Sequence, residues 1–163
     1  MRAICEEIKA NVPEVLAEWE RRVRSQPWFT LPKEERVGSL ATLLVELVDA
    51  SLCSPPDVEA HRRAVKAAAE HGEHRRRQGI PDASLFTEYH LLRQAIWNFL
   101  CARYPPSERL VDAIARIDTA ITTATNASMW GYNRAEIEAL GKWDEGLERI
   151  TQSSPFLGPR ARE

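Results

Sequence analysis

The stretch His71–Tyr104, HGEHRRRQGIPDASLFTEYHLLRQAIWNFLCARY, decides the fold. Gly79 is placed to end one helix in the left-handed backbone region, and Pro81 is pre-set for the first turn of the next. From Leu85 the apolar positions Leu85, Tyr89, Leu92, Ile96 and Phe99 follow the 3.6-residue spacing of a packed helix. A second stripe, Phe86, Trp97 and Leu100 with Arg93 in its middle, covers much of the opposite side. A surface helix needs only one apolar face. This one therefore either lies deep in the core or turns its second face to another chain.

Upstream, Ile4, Ile8, Val12, Val15, Trp19 and Val23 share one helical side, and Pro13 predicts a break near Asn11 with a fresh helix after it. The loop SQPWFT should fold Trp28 and Phe29 back onto the core. Pro32 and the acidic Glu34 and Glu35 open a second helix with the stripe Val37, Leu40, Leu44, Leu47 and Val48. Ser54, Pro55 and Pro56 stop it, and Asp57 can cap a third helix that runs to about Gln78. The inward side of this helix is slim (Val58, His61, Val65, Ala68, Gly72), so a neighbour can approach closely. Of Arg75, Arg76 and Arg77 in its last turn, at least two should be solvated.

Downstream, Ser107 is an N-cap for the longest pattern, Leu110, Ile114, Ile117, Ile121, Ala124 and Ser128, a heptad-like seam. It shifts to Met129, Tyr132, Glu136, Leu140, Trp143, Leu147 and Ile150, with Gly141 and Gly146 lowering helix stability. No strand-like alternation interrupts these patterns. The expected class is all-α, a bundle of five to six helices. Residues 1–140 are expected as one helical domain, 141–151 as an exit helix or linker, and 152–163 as a disordered tail.

With 163 residues, 44% of them apolar, the chain can build one sizeable core. A net charge of −2 gives no general attraction to nucleic acid or anionic lipid. Cys5, Cys53 and Cys101 are odd in number and lack CxxC spacing, which argues against a disulfide framework or thiolate metal site and fits a reducing cytoplasm. Neither a secretory leader nor a membrane span is written in the sequence, so a cytoplasmic protein is expected.

Candidate chemistry is sparse. His71 and His74 can share a helix face with Glu70, a conceivable metal pair, but no second pair accompanies them and no metal is expected. His61 and His90 raise the question of an axial haem ligand; neither is singled out, and no cofactor is expected. No GxSxG, paired Cys and His motif or Gly-rich phosphate loop is present, so the chain does not read as an enzyme. What stands out is a pair of charges on the otherwise apolar central helix, Glu88 and Arg93. Each needs a partner if enclosed, and Arg75 is the candidate for Glu88.

The residues His71-Gly72, Arg75, Gln78-Gly79-Ile80, Leu85, Glu88-Tyr89, Leu91-Leu92-Arg93 and Ala95-Ile96 resemble the pattern HG-x-x-R-x-x-QGY-x-x-x-x-L-x-x-EY-x-LLR-x-AI of the RsbRD-type N-terminal domain, in the RsbT co-antagonist family. Trp19 to Arg24, Ile117-Asp118, Ala120-Ile121 and Tyr132 fit it too. The resemblance implies a globin-like helical fold, usually without haem, that dimerises through its last two long helices. It further implies a sensor module of stress-response or histidine-kinase systems that signals to an output domain or partner. Family members usually continue into that output domain, so this sequence is expected to be either a part of one or a free-standing module.

The resemblance also implies that residues 1–140 are the sensor and dimerisation domain, with motif and structural positions at His71, Gly72, Arg75, Gly79, Glu88, Tyr89, Leu92 and Arg93. The homodimer interface is expected at Phe86, Trp97, Leu100, Ile114 and Ile121. Two functions from different classes follow: a non-catalytic signalling input and dimerisation module, or a haem or small-ligand binding globin-like protein. A Soret band in the purified protein separates them.

Overall fold

The computed structural model describes residues 1–52 and 57–157. Among these residues the chain is all-α, a globin-like helical bundle with eight helices: α1 (Arg2–Ala10), α2 (Val12–Val23), α3 (Lys33–Leu52), α4 (Val58–Arg77), α5 (Ala83–Arg103), α6 (Glu108–Tyr132), α7 (Arg134–Ala139) and α8 (Trp143–Gln152). Five of them, α2 to α6, are long, as the apolar periodicities predict. Cys53, Ser54, Pro55 and Pro56, read as the stop after α3, lie outside the described residues.

Local chemistry accounts for most boundaries. The break before Pro13 falls at Asn11, whose side-chain amide donates back to the Glu7 carbonyl at 2.8 Å. The Asp57 carboxylate accepts from the Glu59 amide at 2.9 Å and caps α4. Gly79 takes φ 73°, a left-handed value that ends the helix, and the Ile80 amide returns to the Arg75 carbonyl at 3.1 Å. Pro81 sits just ahead of α5 and accepts from the Ser84 amide at 2.9 Å, while Asp82 caps the helix. Between α2 and α3, Pro27–Thr30 forms one 3₁₀ turn. It buries Trp28 on Trp19, ring centroids 5.9 Å apart, and leaves Phe29 under the Arg36 guanidinium at 4.3 Å.

The core lies where α3, α4 and α6 meet, with α2 and α5 closing one side. Leu40, Leu44, Leu47, Leu92, Ile96, Ile117 and Ile121 are all fully enclosed. The slim face of α4 does admit a close neighbour, which is α6. A Cβ added at Gly72 would stand 1.9 Å from the Ser128 carbonyl oxygen, and one at Gly131 would stand 1.8 Å from that of Ala69. These two helices touch backbone to backbone, at a separation that only glycine permits.

The C-terminal part departs from the expectation. The sequence leads to an exit helix or linker over 141–151 and a disordered tail over 152–163; a helix is present there, and the chain reaches it by leaving α6 at Asn133 and reversing at Gly141, which adopts φ 66°. α8 returns to pack on α4 and α6. Gly146 is also a close approach: a Cβ there would lie 2.0 Å from the Trp130 ring. Beyond α8, Ser154 and Leu157 are buried, and Phe156 meets the His61 ring edge-on at 5.8 Å. By folding back, Leu147 and Ile150 pack partly buried against the core, while Trp143 lies under the Arg134 guanidinium at 4.8 Å. Residues 158–163 lie outside the described part. None of the described helices is long and apolar enough to cross a membrane.

The α4–α6 crossing yields a test. Gly72→Ala forces a methyl group into the Ser128 backbone and should destabilise the fold by at least about 2 kcal/mol in urea titration. Gly38→Ala is the control: it is exposed in α3 with nothing within 4 Å of the added atom. It should stabilise by about 0.5–1 kcal/mol.

Candidate functional site

Two features survive once the apolar core is set aside, a buried polar junction and an exposed helix face. The junction arises because α4 and α5 are joined by a turn of only a few residues and run back along each other, so residues on either side of Gly79 face one another. Arg75, one turn before the turn, and Glu88, two turns after it, meet in the interior at 0% and 1% side-chain exposure. The Arg75 Nη2 to Glu88 Oε1 distance is 2.6 Å, and Arg75 Nε donates to the same carboxylate at 3.1 Å. The remaining guanidinium donors are also spent, on the Glu35 carbonyl (3.0 Å), the Gln78 Oε1 (2.8 Å) and the Arg36 carbonyl (2.5 Å). All five N–H groups of a guanidinium are therefore satisfied.

Glu88 has further company. His71 Nε2 lies 3.3 Å from its Oε2, and the other imidazole nitrogen is 2.8 Å from the Ser39 hydroxyl. Trp19 Nε1 donates to the Glu88 backbone carbonyl at 3.3 Å. Burial alone would raise the carboxyl pKa, but the imidazole of His71 and the guanidinium of Arg75 outweigh it and hold the group below its ordinary 4.5, at about 2.

The neighbouring Tyr89 points around the helix to α6. Its hydroxyl is 2.6 Å from Ser128 Oγ, and that hydroxyl donates to the Ala68 carbonyl at 2.6 Å, so the phenol is the donor in the first bond. Burial pushes the Tyr89 phenol far above its ordinary pKa and keeps it neutral.

The motif residues therefore separate cleanly. His71, Arg75, Glu88 and Tyr89 come together in the junction; Gly72 sets the α4–α6 approach; Gly79 forms the turn; Leu92 is core. Arg93 stands apart, part-exposed and ion-paired with Asp118 of α6. Arg76 pairs with Glu136 and Arg77 with Glu73 at the surface, so two of the three arginines are solvated as expected. The sequence reading missed Ser39, Ser128 as a hydrogen-bonding residue, and the Trp19 bond. A lone serine in the Ala- and Ile-rich seam of α6 is the one signal that could have exposed Ser128. Nothing local marks Ser39.

The metal reading does not assemble. His71 is committed to Glu88, His74 sits 3.0 Å from the Gln78 amide, and Glu70 is exposed beside Lys66. No metal-binding group of three or more His, Cys, Asp or Glu occurs among the described residues. Of the two haem candidates, His90 is exposed on Gln94. His61 faces a pocket of about 20 Å³, room for roughly one water and far too little for a macrocycle.

The second feature is the outer face of α5. Phe86 and Trp97 are 56% and 36% exposed, on one stripe with Arg93, and Ile114 of α6 is half-buried. Leu100 and Ile121 need correction as interface residues, because both are fully buried inside the subunit. At 100° per residue Leu100 falls beside Tyr89 on the inner arc, about 60° from Trp97, and Ile121 lies at the centre of the seam facing α3 and α4.

A family model described as the RsbT co-antagonist protein rsbRD N-terminal domain matches residues 10–146. No curated protein and no solved structure matches the chain.

The junction predicts its own response to mutation and acid. Glu88→Ala orphans the enclosed Arg75 and should cost roughly 3 to 5 kcal/mol in chemical denaturation. Because the folded-state pKa of Glu88 lies below the unfolded one, its contribution is complete above the ordinary 4.5 and is lost as pH falls toward about 2. Stability measured across that window should drop less steeply in Glu88→Gln than in the unmodified protein.

Proposed function

Since the chain belongs to the RsbT co-antagonist protein rsbRD N-terminal domain family, a signalling-related family, we propose that it is a non-catalytic input domain that dimerises and passes a stimulus to an output partner. The observation that carries this reading is the outer stripe of α5. Phe86 and Trp97 stand three helical turns apart, about 16 Å, on the one side of this helix that the subunit does not cover. Large aromatics left exposed in line mark an interaction surface. The Arg93–Asp118 pair beside them ties α5 to α6, so the two helices offer a single face.

Two copies of this face, related by a two-fold axis, form a four-helix arrangement of α5 and α6. The opposite side of α5 carries Glu88, and through Arg75 it is joined to α4. From α4, Arg76 reaches Glu136 at 2.6 Å and Glu73 reaches Arg134 at 3.0 Å, both on α7. A shift of α5 against its partner copy is thereby communicated to the C-terminal segment, the route to an output partner. The stress-response and histidine-kinase settings come with the family resemblance alone.

Light scattering at tens of micromolar should give twice the subunit mass. Trp97→Glu should give one subunit mass with an unchanged helical circular dichroism spectrum. A single-subunit mass for the unmodified protein overturns the dimer.

A further inference from the structure

His61, near the start of α4, lies outside the junction. It is 5% exposed, and neither ring nitrogen makes a well-formed hydrogen bond among the described residues, its one polar neighbour being the backbone of Asp57 at the start of the helix. A buried polar ring left in that state is uncommon and costly. It lines the small pocket described above, together with the apolar Leu47, Val65 and Ala124 and the hydroxyl-bearing Thr123 and Thr151. The pocket is closed from the C-terminal side by Phe156, which is only half-buried and sits in a turn beyond the end of α8. Arg116 lies over the outer face of the Phe156 ring at 5.9 Å.

We propose that this pocket binds a small neutral aromatic molecule bearing one hydroxyl or N–H group, with the Phe156 side chain as its displaceable plug. The shape argument comes from the plug itself: a benzyl group already fills the mouth, edge-on to the imidazole, so a ring of that size fits once Phe156 withdraws. The polarity argument comes from His61. Its ring lacks a partner that a phenolic or indolic group can supply and that phenylalanine cannot. Burial pushes the His61 pKa down, opposed only in part by the backbone and charge of Asp57, so the imidazole is neutral and favours an uncharged ligand over a carboxylate.

Because ligand and Phe156 compete for one space, occupancy releases the segment that follows α8. The proposal thus names the ligand class of the input domain and rests on that reading for its biological role, though not for its chemistry.

The test is calorimetric titration of the full chain with phenol, toluene and benzoate, together with the ring-nitrogen shifts of His61 by NMR. Phenol should bind with one equivalent and move the His61 signals, and toluene should bind about tenfold more weakly, the worth of one hydrogen bond. Phe156→Ala should tighten phenol because the plug no longer competes. His61→Leu, which removes an unsatisfied polar ring and should fold, ought to erase the preference for phenol over toluene. Absence of saturable phenol binding to Phe156→Ala, binding indifferent to both substitutions, or a preference for benzoate each overturns the proposal. A monomer by light scattering would refute the dimeric input domain and leave these titrations standing, while failed titrations leave the dimer intact.

Discussion

The enclosed Arg75–Glu88 pair is the constraint on which the remainder of the structure depends. Removing two charges from water costs several kcal/mol each, and the loss is recovered only where every donor and lone pair is met. Here the guanidinium has partners on α3, α4 and α5, and the carboxylate also meets His71. Such a pair adds little net stability compared with apolar residues of the same volume. Its effect is on geometry: any slip of α5 along α4 would leave a bare charge in the interior. The turn at Gly79 and the register of both helices are fixed together.

Tyr89 extends this constraint to the far side of the bundle. Through Ser128 and the Ala68 carbonyl it joins α5, α6 and α4 at the level where Gly72 lets the two backbones touch. Two adjacent residues, Glu88 and Tyr89, thus reach different helices from one turn of α5. The polar bonds supply position, and the surrounding leucines and isoleucines supply the driving force by leaving water. With the inner arc so fully engaged, Phe86 and Trp97 are left exposed on the outer side of α5.

The C-terminal segment shows how local pattern and global packing can diverge. The periodicity through Leu140, Trp143, Leu147 and Ile150 is real, and each helix it implies is present in some form. Its direction was not readable, because a left-handed residue at Gly141 turns the chain through a large angle at a single position. Gly146, which reads as a weak helix residue, is there to accommodate the Trp130 ring. The same reversal brings Phe156 over His61 and so creates the pocket on which the ligand proposal stands.

The sequence by itself determined the all-α class, the five long helices, the break at Asn11, the Asp57 and Ser107 caps and the Gly79 turn. These depend on spacing and on side chains acting on their own backbone, both of which are local. It also marked Glu88 as a charge in need of a partner if enclosed, with Arg75 as a candidate, and the short turn at Gly79 is what brings the two together. Only the tertiary structure decided that Leu100 and Ile121 are core, that α8 folds back, that Ser39 and Ser128 complete the junction, and that His61 stands unpartnered beside a pocket. Those outcomes depend on which helix faces lie opposite one another across tens of residues. Such pairings are selected by the burial of the whole molecule and leave no periodic signal in any one segment.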